Sequence, residues 1–186
     1  MKVNCLKISQ NFANQRLLIL FCTFALMLSI LIFCGCAGKN SYSNEPLFPQ
    51  DISSVCLEMF DNQSFRRGVE YELSDALAKR IEADTPYKVI SSRDRADTVI
   101  SGQILSIGES PLTIERQIGR ALEKEVQLTA VVSWKNLKNG ELLIDNQTVS
   151  AEATYSDYQM QGFNYASTLA ANNLARKIVE LMETKW

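Results

Sequence analysis

Residues 125–135 read EVQLTAVVSWK, and this stretch decides the fold class. Apolar side chains occupy every second position from Val126 to Trp134, while mostly polar side chains lie between them. Such alternation is typical of an antiparallel strand with one face buried against a core. The chain therefore contains a sheet that has a polar face and an apolar face.

The sequence on either side extends this sheet. Asn139 and Gly140 supply a turn that tolerates positive φ, so residues 141–155 are expected to return as the partner strand. The apolar parity of this partner changes near Asn146, which predicts a bulge or bend. Upstream, residues 97–107 are rich in β-branched side chains and predict a further strand.

Two amphipathic helices complete the domain. In residues 65–83 apolar side chains recur every four positions from Phe65, Ser64 is placed to cap the helix, and Pro86 stops it. The second helix covers residues 163–182, and short strands are expected at 52–60 and 87–90. The expected fold is an α+β two-layer sandwich: a mostly antiparallel or mixed sheet of four to five strands with both helices on one face.

The N-terminus has the layout of an export signal. Residues 17–33 carry no charge, and the basic residues Lys2, Lys7 and Arg16 precede them. A basic region followed by an apolar run of this length is typical of a secretory signal peptide. A permanent single-pass anchor is the alternative, although the run falls short of the ~20 residues that span a bilayer.

The end of the apolar run resembles the bacterial lipobox, because a small residue stands directly before Cys36. The resemblance implies that Cys36 receives acyl chains and becomes the mature N-terminus, which would make anchoring durable. The alternative is a metal-binding or oxidisable pair with Cys34. The expected organisation is a signal peptide at 1–35, a flexible tether at 36–50 and one folded domain at 51–186.

Composition excludes several functional classes. The 186 residues include no histidine, 19 Lys plus Arg and 21 Asp plus Glu. Imidazole-dependent catalysis and histidine metal sites are therefore excluded, and no phosphate-binding glycine loop or nucleophile elbow is present. Cleavage before Cys36 leaves a net charge of -5, which argues against nucleic-acid binding. We predict a protein that is not an enzyme and holds no cofactor or metal, with Cys56 as a small buried apolar residue.

Two loops carry candidate binding residues. Residues 110–124 are expected to connect two strands and contain Arg116 and Arg120, while Lys135 and Lys138 flank the turn at Asn139. Basic side chains at strand ends can pair with phosphate groups. The alternative is ordinary solvated turn charge, since acidic residues are interspersed among them.

Five segments together resemble the LptE family of lipopolysaccharide-assembly lipoproteins. The segments are 52–55 (ISSV), 60–68 (FDNQSFRRG), 85–89 (TPYKV), 95–102 (RADTVISG) and 134–141 (WKNLKNGE). The resemblance implies a lipoprotein of the outer membrane that faces the periplasm, sits inside the LptD β-barrel, helps the barrel assemble and plugs it during lipopolysaccharide transport. It also implies that Arg116, Arg120, Lys135 and Lys138 contact lipopolysaccharide phosphates.

Other envelope lipoproteins share part of this pattern. The Ala-Asp strand that begins at Ala96 also resembles proteins similar to CsgG and the amino-terminal domain of TolB. Those proteins serve secretion pores or envelope maintenance. A lipoprotein with a structural role and no barrel partner is the third alternative.

The lipobox interpretation is tested by Cys36→Ala. Because the thiol is the acyl acceptor, the variant should remain an uncleaved precursor that takes up no palmitate analogue in metabolic labelling. Persistent labelling would show that the chain is acylated elsewhere or not at this motif. Cys34→Ala is the control and should keep its label.

Overall fold

The structure, a computed structural model, describes residues 46–117, 119 and 121–184. Within them two helices pack on one face of a six-stranded mixed sheet, which confirms the expected α+β class. The elements are β1 (Ser54–Leu57), β2 (Asp61–Asn62), α1 (Val69–Asp84), β3 (Lys88–Ile90), β4 (Thr98–Ile114), β5 (Ala121–Asn136), β6 (Leu142–Tyr155) and α2 (Phe163–Leu181). The two-residue β2 raises the strand number above the expected four to five.

The strand order is β3-β1-β4-β5-β6, and β2 lies beside β4. Strand β1 is parallel to both of its neighbours, whereas β4, β5 and β6 form an antiparallel meander. We call the end where β4 joins β5 the hairpin end and the end where β5 joins β6 the turn end. Helix α2 begins near the hairpin end, because it follows β6, whereas α1 follows β2, which pairs with β4 at Gln103 and Ile104, near the middle of that strand. At about 3.3 Å per residue, the 16 residues of β5 separate the two ends by about 50 Å.

Strand β5 supplies the centre of the core. Its alternate residues from Val126 to Trp134 are buried against the helices, as the sequence predicts. The predicted irregularity in β6 is confirmed as well. The register with β5 shifts between Val132 and Trp134, and Asn146, close to this shift, has φ 43°.

Strands β4 and β5 are longer than the sequence indicates. Residues 110–124 were expected to form a connection, but β4 continues to Ile114 and β5 begins at Ala121. The amphipathic alternation fails here because β4 is exposed from Gly108 onward and has no core to face. The ladder itself, broken by shifts on both sides of Thr113, keeps these residues in strand conformation.

The start of the first helix was predicted wrongly. Helix α1 begins at Val69 with Gly68 as its N-cap, and Gly68 has φ 100°, a left-handed conformation that ends the preceding loop. Ser64 does not cap the helix, because the helix begins five residues later, and its hydroxyl donates to the side-chain oxygen of Asn62 at 2.7 Å. Phe65 therefore lies outside the helix and is fully exposed.

The packed domain begins before Asp51. Within the predicted tether the structure describes residues 46–50, and there Phe48 is only 8% exposed and belongs to the core. Its ring packs edge-on against the ring of Tyr87, with 5.9 Å between the two ring centres. The remainder of the tether and the predicted signal peptide lie outside the described residues. Cys56, 4% exposed and unpaired, is the small buried residue expected.

The outer edge of β6 is capped by side chains of α2. The Asn173 amide donates to the carbonyl of Glu152 at 2.9 Å, and the Lys177 ammonium donates to the carbonyl of Ser150 at 2.7 Å. These carbonyls would otherwise be free to pair with another strand. Helix α2 thus protects the edge as well as covering the core.

A close approach across β4 requires glycine at position 102. A Cβ atom there would lie 2.3 Å from the Val131 carbonyl oxygen and 2.5 Å from the Phe60 ring. Neither neighbour can move away easily. The Val131 carbonyl belongs to the backbone of the β4–β5 ladder, and the Phe60 side chain is buried.

Gly102→Ala should therefore lower the free energy of unfolding by about 1–3 kcal/mol, the usual cost of overpacking. Urea denaturation of residues 46–186 measures this change. Gly108→Ala, in the same strand, is the matched control, since a Cβ there meets nothing within 4 Å. Equal effects of the two substitutions would contradict the steric account.

Candidate functional site: the hairpin end

Large apolar side chains are exposed around the hairpin end. They come from three places: the loop before α1, the end of β4, and the loop before α2 together with the first turn of that helix. The residues are Phe65, Leu112, Ile114, Tyr158, Met160 and Tyr165. We call this set the apolar rim. At the turn end, the described residues of this kind are Leu47 and Leu142, and Met59, Tyr71, Leu105 and Leu169 are exposed elsewhere in the described part of the chain. The rim therefore holds six of the twelve exposed large apolar side chains, and exposed apolar surface gathered in this way is typical of a contact site for another molecule.

The loop that presents Phe65 is held by Asn62. Its amide nitrogen lies 2.7 Å from the Arg66 carbonyl oxygen and 2.6 Å from a carboxylate oxygen of Glu70. The same Glu70 oxygen accepts from the Gly68 N–H at 3.0 Å. Hydrogen bonds from the backbone N–H of Glu70, the Asn62 amide and the Gly68 N–H lower the pKa of the Glu70 carboxyl. The exposed position of Phe65 is thus fixed by a bonded loop.

Charged side chains lie behind the rim, at the edge of the core. The Arg66 guanidinium lies 3.6 Å from the centre of the Phe163 ring, a cation–π contact that joins the loop to α2. Across the hairpin, the Lys124 ammonium pairs with Glu109 at 3.1 Å. This hydrogen bond lowers the pKa of the Glu109 carboxyl, while burial raises the pKa of the neighbouring Tyr155. Lys124 and Glu109 are thus engaged with each other and Arg66 with an aromatic ring, while Arg67 and Arg116 are exposed beside the rim.

The predicted phosphate-contacting residues are divided between the two ends. Arg116 is exposed at the hairpin end. Lys135 is exposed at the turn end, where Lys138 pairs with Asp97 at 2.7 Å. These groups lie about 50 Å apart along β5, so they do not form one site. Arg120 and the predicted acyl acceptor Cys36 lie outside the described residues.

Sequence reasoning missed the apolar rim. Phe65 fitted the four-residue period of α1 and was assigned to the core, whereas Tyr158 and Met160 lie in a loop without periodicity. Two apolar residues in the short, otherwise polar segment 156–162 were the available signal. Leu112 and Ile114 lie within residues 110–124, which the sequence predicts to be a connection between strands, so their exposure on a strand was not anticipated.

The segments that carry the family resemblance have structural roles. Asp97 accepts hydrogen bonds from the Ser53 and Ser54 N–H groups at 2.8 and 3.1 Å. Thr85 caps α1 by donating to the Ile81 carbonyl at 2.6 Å. In the β5–β6 turn, the Asn136 side chain accepts from the Lys138 N–H at 2.9 Å. With Gly68 and Gly102, these residues fix the fold rather than form a binding site.

The domain is a two-layer α+β sandwich that packs Phe48 into its core and exposes the apolar rim at one end. The family model LptE, described as lipopolysaccharide-assembly, matches residues 52–186. The chain belongs to this family, as its sequence predicts. No curated protein sequence matches it.

Solved structures share the fold at low sequence identity. A hypothetical protein from Chlamydia trachomatis is 12% identical, with a TM-score of 0.50 over 69% of this chain and 94% of that one. Rare lipoprotein B from Shewanella oneidensis is 16% identical, with a TM-score of 0.46 over 70% and 93%. The PelC dodecamer from Paraburkholderia phytofirmans is 14% identical, with a TM-score of 0.45 over 76% and 96%. The chlamydial protein shares the fold.

The part of the chain that the structure describes has no helix both long and apolar enough to span a bilayer.

Asp97 should make the stability of the domain depend on pH. Hydrogen bonding to Lys138 and to the backbone lowers its pKa from 3.8 to about 2. The contribution of the Asp97 carboxylate to the free energy of unfolding is therefore complete above about pH 4. It is lost as the pH falls towards 2. Asp97→Asn should lower the free energy of unfolding at pH 7 by about 1–3 kcal/mol, and the difference from wild type should narrow between pH 4 and pH 2.

Urea denaturation at a series of pH values checks this. Asp94→Asn is the control, because Asp94 is exposed in the same loop. A difference between Asp97→Asn and wild type that stays constant down to pH 2 would show that the carboxylate charge is not what stabilises the fold.

Proposed function

We propose that this chain is an outer-membrane lipoprotein, acylated at Cys36 and facing the periplasm, that binds an LptD-type β-barrel and supports lipopolysaccharide transport to the outer leaflet. The observation that carries the proposal is the LptE match over residues 52–186, which spans the folded domain. The role is one of assembly and plugging rather than catalysis. The family match favours it over a secretion-pore or envelope-maintenance lipoprotein.

The apolar rim is the surface that we assign to the barrel. Burying one large apolar side chain contributes about 1.5–3 kcal/mol, so even Phe65 and Met160 alone, both almost fully exposed, leave a considerable free energy unused in the free protein. The extension of β4 and β5 past the helices supports the same assignment. A two-stranded extension has little stability of its own in water, and a surrounding wall would cover it.

Lipopolysaccharide contact is proposed for the basic residues at the two ends. Arg116 belongs to the hairpin end and Lys135 and Lys138 to the turn end, while Arg120 is included because it follows Arg116 by four residues in the sequence. A phosphate group can meet one of these pairs at a time, because the ends are about 50 Å apart. Arg116 is the better placed for a bidentate contact, since it is exposed, whereas Lys138 is paired with Asp97.

Affinity purification from native envelopes tests the barrel assignment. The double variant Phe65→Asp/Met160→Asp should reduce recovery of the barrel at least tenfold, because it places two charges on the apolar rim. The control is Leu142→Asp, an equally drastic change at an exposed site of the turn end, which should leave recovery unchanged.

Each outcome of this experiment is informative. Equal recovery with both variants would mean that the barrel binds elsewhere. Purification of a homo-oligomeric ring without any barrel would overturn the proposed function and favour the secretion-pore alternative.

Charge reversal tests the lipopolysaccharide contact. Arg116→Glu/Arg120→Glu should weaken binding of purified lipopolysaccharide several-fold without changing the thermal unfolding midpoint. The control is Lys79→Glu, because Lys79 is highly exposed on α1. Unchanged binding in the double variant would identify these residues as ordinary turn charges.

A further inference from the structure

We propose that the outward face of α2 is a second contact surface for the β-barrel partner, and that a groove in this face receives one large apolar side chain of that partner. The inference rests on the proposed function, because it takes the same partner. It goes further by naming a surface that continues beyond the apolar rim and the chemistry of the group that this surface receives.

The groove lies in the N-terminal half of α2. It is lined by Asn164, Tyr165, Thr168, Leu169 and Asn172, and its volume is about 390 Å³. Residues three and four positions apart are neighbours on a helix surface, so the last four of these side chains surround one shallow hole. Four side chains arranged in this way receive a single side chain when helices pack. The groove therefore has the form of a site for one inserted side chain.

The walls of the groove can accept an apolar group. Tyr165 is 52% exposed and Leu169 is 38% exposed, so both present apolar surface to solvent. The Thr168 hydroxyl donates to the Asn164 carbonyl at 3.0 Å, and the Asn172 amide donates to the Thr168 carbonyl at 2.9 Å. Because these donors are bonded within the helix, an apolar side chain that covers them does not leave them unpaired.

The outward face of α2 also lacks the charge that a solvated helix usually carries. Residues 163–175 contain no Asp, Glu, Lys or Arg, whereas seven of the 16 residues of α1 are charged. Both helices pack on the same face of the sheet, so burial against the core does not explain the difference. Charged residues are depleted and tyrosine is enriched at the centres of protein interfaces. The composition of α2 is therefore that of a face covered by another protein.

Continuity with the apolar rim points to the occupant. Tyr165 belongs to both surfaces, and the groove extends from it along α2 to Asn172, a distance of about 10 Å. A partner that covers the rim therefore meets the groove as well. A charged side chain would find no counter-charge among the residues that line the groove. The group that fits is a large apolar or aromatic side chain on an uncharged part of the barrel.

Photocrosslinking in native envelopes tests the surface. A photoreactive phenylalanine derivative replaces Thr168 in the full-length chain, and irradiation should join the chain covalently to the barrel. The matched control is the same replacement at Lys79, which is exposed on the charged face of α1 and should give far less product. Equal barrel product at the two positions would overturn the proposal. A product at residue 168 that contains a second copy of this chain instead of the barrel would also overturn it.

Substitution tests the chemistry of the groove. Leu169→Asp should lower recovery of the barrel in affinity purification about tenfold, because it replaces an apolar contact by a charge. Leu169→Met keeps the apolar contact and should recover the barrel as the wild type does. Tyr71→Asp is the control, since Tyr71 is 65% exposed on α1, and it should leave recovery unchanged. Wild-type recovery with Leu169→Asp would show that the groove receives no apolar group.

These outcomes separate the inference from the proposed function. If the wild-type chain recovers no barrel, the proposed function fails, and the contact along α2 fails with it. If the wild type recovers the barrel and Phe65→Asp/Met160→Asp reduces that recovery, but residue 168 gives no barrel product, only the contact along α2 is refuted.

Discussion

The fold depends on a carboxylate that joins segments far apart in the sequence. Asp97 accepts from the N–H groups of Ser53 and Ser54 at the start of β1, and its own N–H donates to the Ser54 hydroxyl. Its side chain also binds Lys138, and its carbonyl accepts from the Leu137 N–H in the turn after β5. Parallel strands have no hairpin turn to set their register. Asp97 supplies that register by fixing β1 against β4, and α1 packs on the sheet that results.

The residues that identify the family and the residues that meet other molecules are different sets. Gly68, Gly102 and Asp97 each satisfy a local requirement of backbone conformation, space or hydrogen bonding. The exposed residues Phe65 and Met160 satisfy no such requirement within the domain. Because the family resemblance is carried by residues such as Gly68, Gly102 and Asp97, it establishes the fold directly. It bears on function only because the chain belongs to the family.

The same division explains how much the sequence could predict. The alternation in β5 and the period of α2 predicted the class and most elements, because both patterns record burial against one core. The start of α1 was misplaced because Phe65 continued the helical period that Gly68 interrupts. The extension of β4 and β5 escaped prediction because pairing between two exposed strands leaves no hydrophobic period. Phe48 was assigned to the tether because its burial depends on Tyr87, thirty-nine residues away in sequence. For the candidate site, the spacing of the basic residues could not show that β5 holds them at opposite ends.

The edge of β6 that α2 caps has a consequence for how the domain can meet another β-sheet. With the carbonyls of Ser150 and Glu152 bonded to side chains of α2, this part of the β6 edge does not offer a free ladder to an unpaired strand. Such a domain can stay next to an incompletely closed sheet without being incorporated into it. Its contacts with such a sheet would then be made by side chains and would remain reversible, whereas a strand that joins a ladder is held by continuous backbone hydrogen bonds.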